Sequence, residues 1–175
     1  KRIVLGFGQG GTVGLAAARR STDLTHAVGI IGTPARSIDI VLTSPALRDS
    51  VTRRRLLDTF GRIWANEYPD TTIVMHGEAR CWRSWLQITK DMLGLVDAVE
   101  QPVLAVQGTA DTLLPMLDIE RFRYQLRRRP MSRAEVALGV KHDLRDEVPD
   151  LHEDPDRISP RVVEPIMRWI REVIP

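Results

Sequence analysis

The opening of the chain constrains its fold more than any other stretch. Ile3-Val4-Leu5 is a short apolar run, and Gly6-Phe7-Gly8-Gln9-Gly10-Gly11 follows it directly. Thr12 to Arg20 then carries Val13, Ala16, Ala17 and Arg20 at helical spacing. After a polar break at Ser21 to Thr25, Ala27-Val28-Gly29-Ile30-Ile31 is a second apolar run, stopped by Gly32-Thr33-Pro34. Strand, helix and strand within about 31 residues make a βαβ unit, whose crossover joins parallel strands. Both runs are continuously apolar rather than alternating, the mark of strands covered on both faces. The expected class is therefore α/β, a mainly parallel sheet with flanking helices.

The remainder divides by pattern. Residues 1–38 read as the first part of an α/β core, 39–99 as a helical cap or lid inserted between strands, and 100–175 as the second part of the core. Within 39–99, Leu47 to Trp64 is basic and amphipathic, Ile73-Val74-Met75 fits either a short strand or a helix start, and Trp82, Trp85, Leu86, Met92 and Leu93 suggest further helices. Pro102 to Gly108 reads as a third strand, with its proline at the first position, where the missing N–H is tolerated. Leu117 to Arg129 reads as a helix through Ile119, Phe122 and Leu126. Ala134 to Gly139 reads as a fourth strand, and Asp146 to Pro160 as an acidic surface loop. A closing helix over Val162 to Val173 is expected to bury Val163, Ile166, Met167, Ile170 and Val173. At 175 residues, 43% hydrophobic and 27% charged, the chain has ordinary globular composition. Cys81 is its one cysteine, which excludes an intrachain disulfide framework and a cysteine-rich zinc site.

The glycine-rich turn has two readings. Gly6, Gly8 and Gly11 match G-x-G-x-x-G between a strand and a helix, the context of a dinucleotide fingerprint. That reading needs an acidic residue at the end of the next strand, and Gly29-Ile30-Ile31-Gly32-Thr33 supplies none. Gly6, Gly8 and Gly10 also fit the small residues of a nucleophile elbow, G-x-S-x-G, with Gly8 where serine belongs.

Two later loops bear on the choice. Asp111 follows the third strand in Gln107-Gly108-Thr109-Ala110-Asp111, with Pro115 beyond it, and His142 follows the fourth. A carboxylate that holds one imidazole nitrogen leaves the other free to take a proton. The order nucleophile, acid, histidine is that of the α/β-hydrolases. Taken singly, Asp111 also fits a turn-capping aspartate and His142 a surface histidine. Asp143 and Asp146 flank the histidine and compete for the acid's role.

On these residues the chain resembles the carboxyl-terminal portion of an α/β-hydrolase of the bacterial esterase, lipase and acyl-hydrolase kind. The resemblance rests on Ile3 to Gly11, on Gly29 to Arg36, on Gln101 to Asp111 and on Val140 to Leu144. It implies that Asp111 is the triad acid, His142 the general base, Gly8 the occupant of the nucleophile position, and the Gln9 N–H one oxyanion-hole donor. It implies a small-molecule ester or acyl substrate and no cofactor or metal. Gly8 lacks the side chain that a covalent intermediate needs. Three accounts of Gly8 stay open: an engineered loss of serine, a natural non-catalytic binding protein on the same fold, or chemistry in which the His142–Asp111 pair activates water or abstracts a proton directly. The family also has strands ahead of its elbow. Ile3-Val4-Leu5 would then be a central strand, so a missing amino-terminal segment or a second subunit is expected to complete the sheet.

Other residues are read more plainly. Cys81, between Arg80 and Trp82, is expected to be a structural thiol, and His26 and His76 ordinary surface or cap residues. His152, Glu153 and Asp154 are too few and too local to argue for a metal. Arg53-Arg54-Arg55 and Arg127-Arg128-Arg129 are expected on solvated helix faces. With a net charge of +2 and no interleaved aromatics, no nucleic-acid partner is expected. Trp64, Trp82 and Trp85 are expected in the cap core or lining an apolar acyl pocket. No apolar run reaches the roughly 18 residues of a membrane span. With no visible export signal, the expected compartment is the cytoplasm.

Overall fold

The computed structural model describes residues 1–20, 26–32, 36–44, 47–114, 116–148, 154 and 157–174. Its elements, in chain order, are β1 (Ile3–Phe7), α1 (Gln9–Arg20), β2 (Ala27–Ile31), α2 (Ser37–Thr43), α3 (Ser50–Trp64), β3 (Ile73–Val74), β4 (Gly77–Glu78), α4 (Ala79–Thr89), α5 (Met92–Asp97), β5 (Val103–Gly108), α6 (Met116–Leu126), β6 (Arg133–Ala137) and α7 (Pro160–Val173). The main sheet has the order β1-β2-β5-β6, and every pairing in it is parallel. Ser21, Thr25, Thr33, Pro34, Pro115, His152 and Glu153, named above, lie outside the described residues, as does much of the loop expected over 146–160.

Strand alternation splits the interior into two layers. Val28 and Ile30 of β2 and Val103 and Ala105 of β5 face one side, where Leu15 and Ala18 of α1, Met92, Leu95 and Val96 of α5, and Ile119, Phe122 and Leu126 of α6 cover them. Ala27, Leu104 and Val106 face the other side, under Val162, Ile166 and Trp169 of α7. β5 has a strand on each side and a layer on each face, and all six of its residues are buried. β1 lies at the sheet edge, where Leu5 and Phe7 are each 47% exposed.

The rotation of two helices is set by contacts rather than by apolar spacing, and in α7 the buried face differs from the one expected. In α1 the buried stripe is Gly11, Thr12, Gly14, Leu15 and Ala18, and Val13, Ala17 and Arg20 are exposed. The helix starts at Gln9, directly at the turn, and its glycine stripe permits the closest approach to β1 and β2, so the bulkier Val13 turns outward. In α7 the buried face is Val162, Ile166 and Trp169, with Val163 and Met167 partly exposed. Trp169 sets this rotation: it is fully buried, and its indole Nε1–H donates to the Met131 carbonyl at 2.7 Å. A buried indole needs such an acceptor, and few orientations supply one.

Between β2 and β5, helices α2, α3 and α4 enclose a third apolar cluster of Val41, Phe60, Ile63 and Leu86. Asp49 caps α3 by accepting from the Val51 and Thr52 amides. Ile73–Val74 is a strand: it pairs with Gly77–Glu78 through a two-residue turn in which Met75 and His76 both have positive φ. Trp82 Nε1–H donates to the Val74 carbonyl and ties this hairpin to α4. α5 lies inside the expected 39–99 span, yet its buried side belongs to the core of the main sheet. Arg53 and Arg129 are not free on helix faces. Arg53 donates to the Leu47 carbonyl, and Arg129 to the carbonyls of Val96, Val99 and Gln101, where burial lowers its pKa.

Candidate active site

Three segments meet at the carboxyl ends of β1, β5 and β6, the edge at which open α/β sheets carry their sites. The first is the turn from β1 into α1. Gly8 has φ +53°, its N–H donates to the Ile31 carbonyl at 2.8 Å, and its own carbonyl accepts from Gly11 N–H at 3.0 Å. Gly6 is required by contact: a Cβ there would lie 2.2 Å from the Gly10 carbonyl oxygen. A Cβ at Gly8 would meet nothing within 4 Å, so the position opens onto free space. Gln9 begins α1, and its N–H is one of the first-turn donors that a helix leaves without an intrahelical partner.

The second segment leaves β5. Thr109 and Ala110 donate to the carbonyls of Ala137 and Val140, which fixes the loop against the end of β6. The Asp111 side chain is only 2% exposed. Its Oδ1 accepts from the amides of Leu113 (2.8 Å) and Leu114 (2.9 Å), which leaves Oδ2 for a second partner. That partner comes from the third segment, beyond β6. His142 Nδ1–H donates to Asp111 Oδ2 at 2.8 Å.

This bond fixes the proton on Nδ1 and leaves the Nε2 lone pair to accept one. Asp111 raises the His142 pKa, first through the hydrogen bond and then through its charge; Asp143 adds to the rise, and partial burial opposes it. The imidazole centroid stands 5.5 Å from the ring of Phe7, the residue before Gly8. Gly32, at the end of β2, approaches both Gly8 and the Leu114 side chain. The turn, the acid loop and the histidine loop are therefore neighbours.

The flanking acids have other partners. Asp143 is exposed and pairs with Lys141 and Arg145. Asp146 accepts from Ser159 Oγ at 2.9 Å and from Arg161 Nη1 at 3.1 Å. Asp146 thus joins the histidine loop to the start of α7, whose N-cap is Ser159. The sequence signal for that cap is Ser159 followed by Pro160 at the first helical position; the link to Asp146 has no local signal. Ser44 Oγ donates to the Thr112 carbonyl and anchors the acid loop to the end of α2, a contact also missed by motif reading. Cys81 is exposed, His76 is exposed at its hairpin turn, and His26 accepts from the Arg2 amide through Nδ1. Among the described residues, no group of three or more His, Cys, Asp or Glu side chains could hold a metal ion, and no helix is long and apolar enough to cross a membrane.

No protein-family model matches the chain, and no curated protein matches it in sequence. Solved structures resemble it in fold. A monoacylglycerol lipase of Paleococcus ferrophilus aligns over 99% of this chain and 69% of its own, at 17% identity and a TM-score of 0.60. Est1E from Butyrivibrio proteoclasticus aligns over 97% of this chain and 60% of its own, at 20% identity and a TM-score of 0.61. E-2-(acetamidomethylene)succinate hydrolase aligns over 97% and 66%, at 17% identity and a TM-score of 0.56. The chain has the α/β-hydrolase fold and spans 60–69% of the length of these structures.

Proposed function

We propose that the chain carries the elbow, acid and histidine of an ester or acyl hydrolase site acting on a small-molecule substrate. In this reading Asp111 is the orienting acid, His142 the general base, Gly8 the nucleophile position and the Gln9 N–H an oxyanion donor. The observation that carries it is the 2.8 Å bond from His142 Nδ1–H to a carboxylate already held by two backbone amides, beside the Phe7–Gly8 turn. Such a pair orients one tautomer and stabilises the imidazolium that forms when Nε2 takes a proton. The helices α2 to α4, with their own apolar cluster, serve as the cap, while α5 belongs to the sheet core, and a further segment or subunit pairs with the open side of β1.

A second reading is favoured by Gly8 itself. With no side chain at position 8, no acyl-enzyme forms there, and the site binds without covalent turnover or directs His142 at water. The pair and the turn are the same in either case. One experiment separates them. Gly8→Ser should gain hydrolysis of a p-nitrophenyl ester and lose it again on His142→Ala. If Gly8→Ser gains nothing while the fold is intact, the binding reading takes its place. A dinucleotide site through Gly6, Gly8 and Gly11 has less support, since β2 ends without an acid.

A further inference from the structure

A cavity of about 330 Å³ lies among α2, α3 and α4, and none of Gly8, Gln9, Asp111 and His142 lines it. Its walls are the side chains of Ile38, Leu57, Phe60, Trp64 and Leu86. Ile38 and Trp64 are each about half exposed, so the mouth is apolar as well. That size is at the small end of pockets that hold organic ligands.

Three further features suit one kind of occupant. Ser37 and Thr89 line the cavity and are 8% and 1% exposed. Their hydroxyls lie 3.5 Å from each other, and Thr89 Oγ1 lies 3.5 Å from the Leu86 carbonyl. Good O–H···O bonds are about 2.7–2.8 Å long, so these two contacts are long ones, and among the described residues neither hydroxyl has a shorter one. Lys90 stands at the same rim and forms no ion pair among the described residues, unlike its neighbour Arg36, which is paired with Asp39. The third feature is Gly61, on the cavity wall inside α3. A glycine there weakens the helix, yet a Cβ at Gly61 would meet nothing within 4 Å, so packing does not require it. Gly61 is exposed on the cavity lining, so a longer side chain there has room to extend.

We propose that this cavity binds an amphiphile with a short apolar chain and an anionic oxygen head, the chain lying against Phe60 and Leu86 and the head meeting Lys90 and the Ser37 and Thr89 hydroxyls. A medium-chain fatty acid is the simplest member of this class. The site does not depend on the hydrolase reading.

The test is calorimetric titration of the chain with decanoate, decanol and acetate. Decanoate should bind saturably at one site, decanol more weakly, and acetate not detectably. Gly61→Leu fills the volume and should weaken decanoate by about tenfold or more, the factor for displacing two or three methylenes from apolar contact. Its Tm should be equal or higher, since leucine is the better helix former. Lys90→Gln, at an exposed position, should weaken decanoate by roughly two- to five-fold and leave decanol unchanged. Three results would each overturn the proposal: no saturable decanoate binding by the folded chain, decanol binding as tight as decanoate, or a folded Gly61→Leu variant that binds decanoate unchanged.

Discussion

At residue scale, two glycines of one turn are held for different reasons, and substitution separates them. Gly8 has a left-handed backbone and open space above it, so Gly8→Ala should cost only the conformational penalty, about 1–2 kcal/mol. Gly6 is blocked by the Gly10 carbonyl, backbone that cannot step aside, so Gly6→Ala should cost more than about 3 kcal/mol, beyond ordinary overpacking. Urea denaturation of both variants checks the order. His142 gives a second prediction. Its folded pKa is raised above the ordinary 6.5 by Asp111, so its NMR titration midpoint should lie above that value and fall in Asp111→Asn. The sign of the linkage follows. The stability this pair adds is fully present below the unfolded pKa and is lost as pH rises through the folded one. A reaction that needs neutral His142 should therefore rise at higher pH than an unperturbed histidine would give. Asp111 and His142 are legible in sequence because Asp111 follows the apolar β5, and His142 the alternating β6, by a few residues. The bonds from Leu113 and Leu114 to Asp111, and the Ser159 and Arg161 contacts of Asp146, depend on how loops meet, and no spacing rule reports that.

At element scale, the strands of the main sheet and most helices are legible because both their periodicity and their punctuation are strong. The rotation of two helices is not. Periodicity alone offers α7 two adjacent apolar stripes, one through Val163 and Met167 and one through Val162, Ile166 and Trp169. The indole's need for the Met131 carbonyl selects the second. Trp169→Ala should accordingly cost about 3–5 kcal/mol, whereas Met167→Ala should cost about 0.5 kcal/mol or less. Thermal denaturation of the two variants distinguishes the faces, and equal losses would contradict the assignment. In α1 the glycine stripe decides the rotation in the same way: apolar spacing points to Val13, while close approach to the sheet needs Gly11 and Gly14. Ile73-Val74-Met75 fits a strand or a helix start in sequence, and β4 gives no signal at all, because each strand of this hairpin has two residues, too short for any period to show. The boundary at residue 99 sits beyond α5 for a related reason. α5 is a short apolar helix in the middle of other helices, and only its contacts tie it to the sheet core.

At the scale of the whole molecule, parallel order brings residues 8, 111 and 142 to one edge although the sequence separates them widely. The βαβ opening and the strand-then-loop positions of Asp111 and His142 carry that convergence, so the general location of the proposed site is readable in the sequence. The open flank of β1 is the other molecular feature. Leu5 and Phe7 are half exposed on a strand whose outer side has no partner strand among the described residues, the kind of edge that recruits another strand. We expect the isolated chain to associate in sedimentation velocity as concentration rises, and Leu5→Lys to reduce that association; a strict monomer at all concentrations would contradict a pairing role for this edge. The central claim is that the turn at Gly8 and the Asp111–His142 pair form one hydrolytic constellation. Its most direct test is mass-spectrometric labelling of Gly8→Ser with a fluorophosphonate, which reports an activated hydroxyl without requiring a matched substrate. A single adduct at position 8, absent from the original chain and from the variant that also carries His142→Ala, is the predicted result. A folded Gly8→Ser variant that takes no label, or that labels equally without His142, would contradict it.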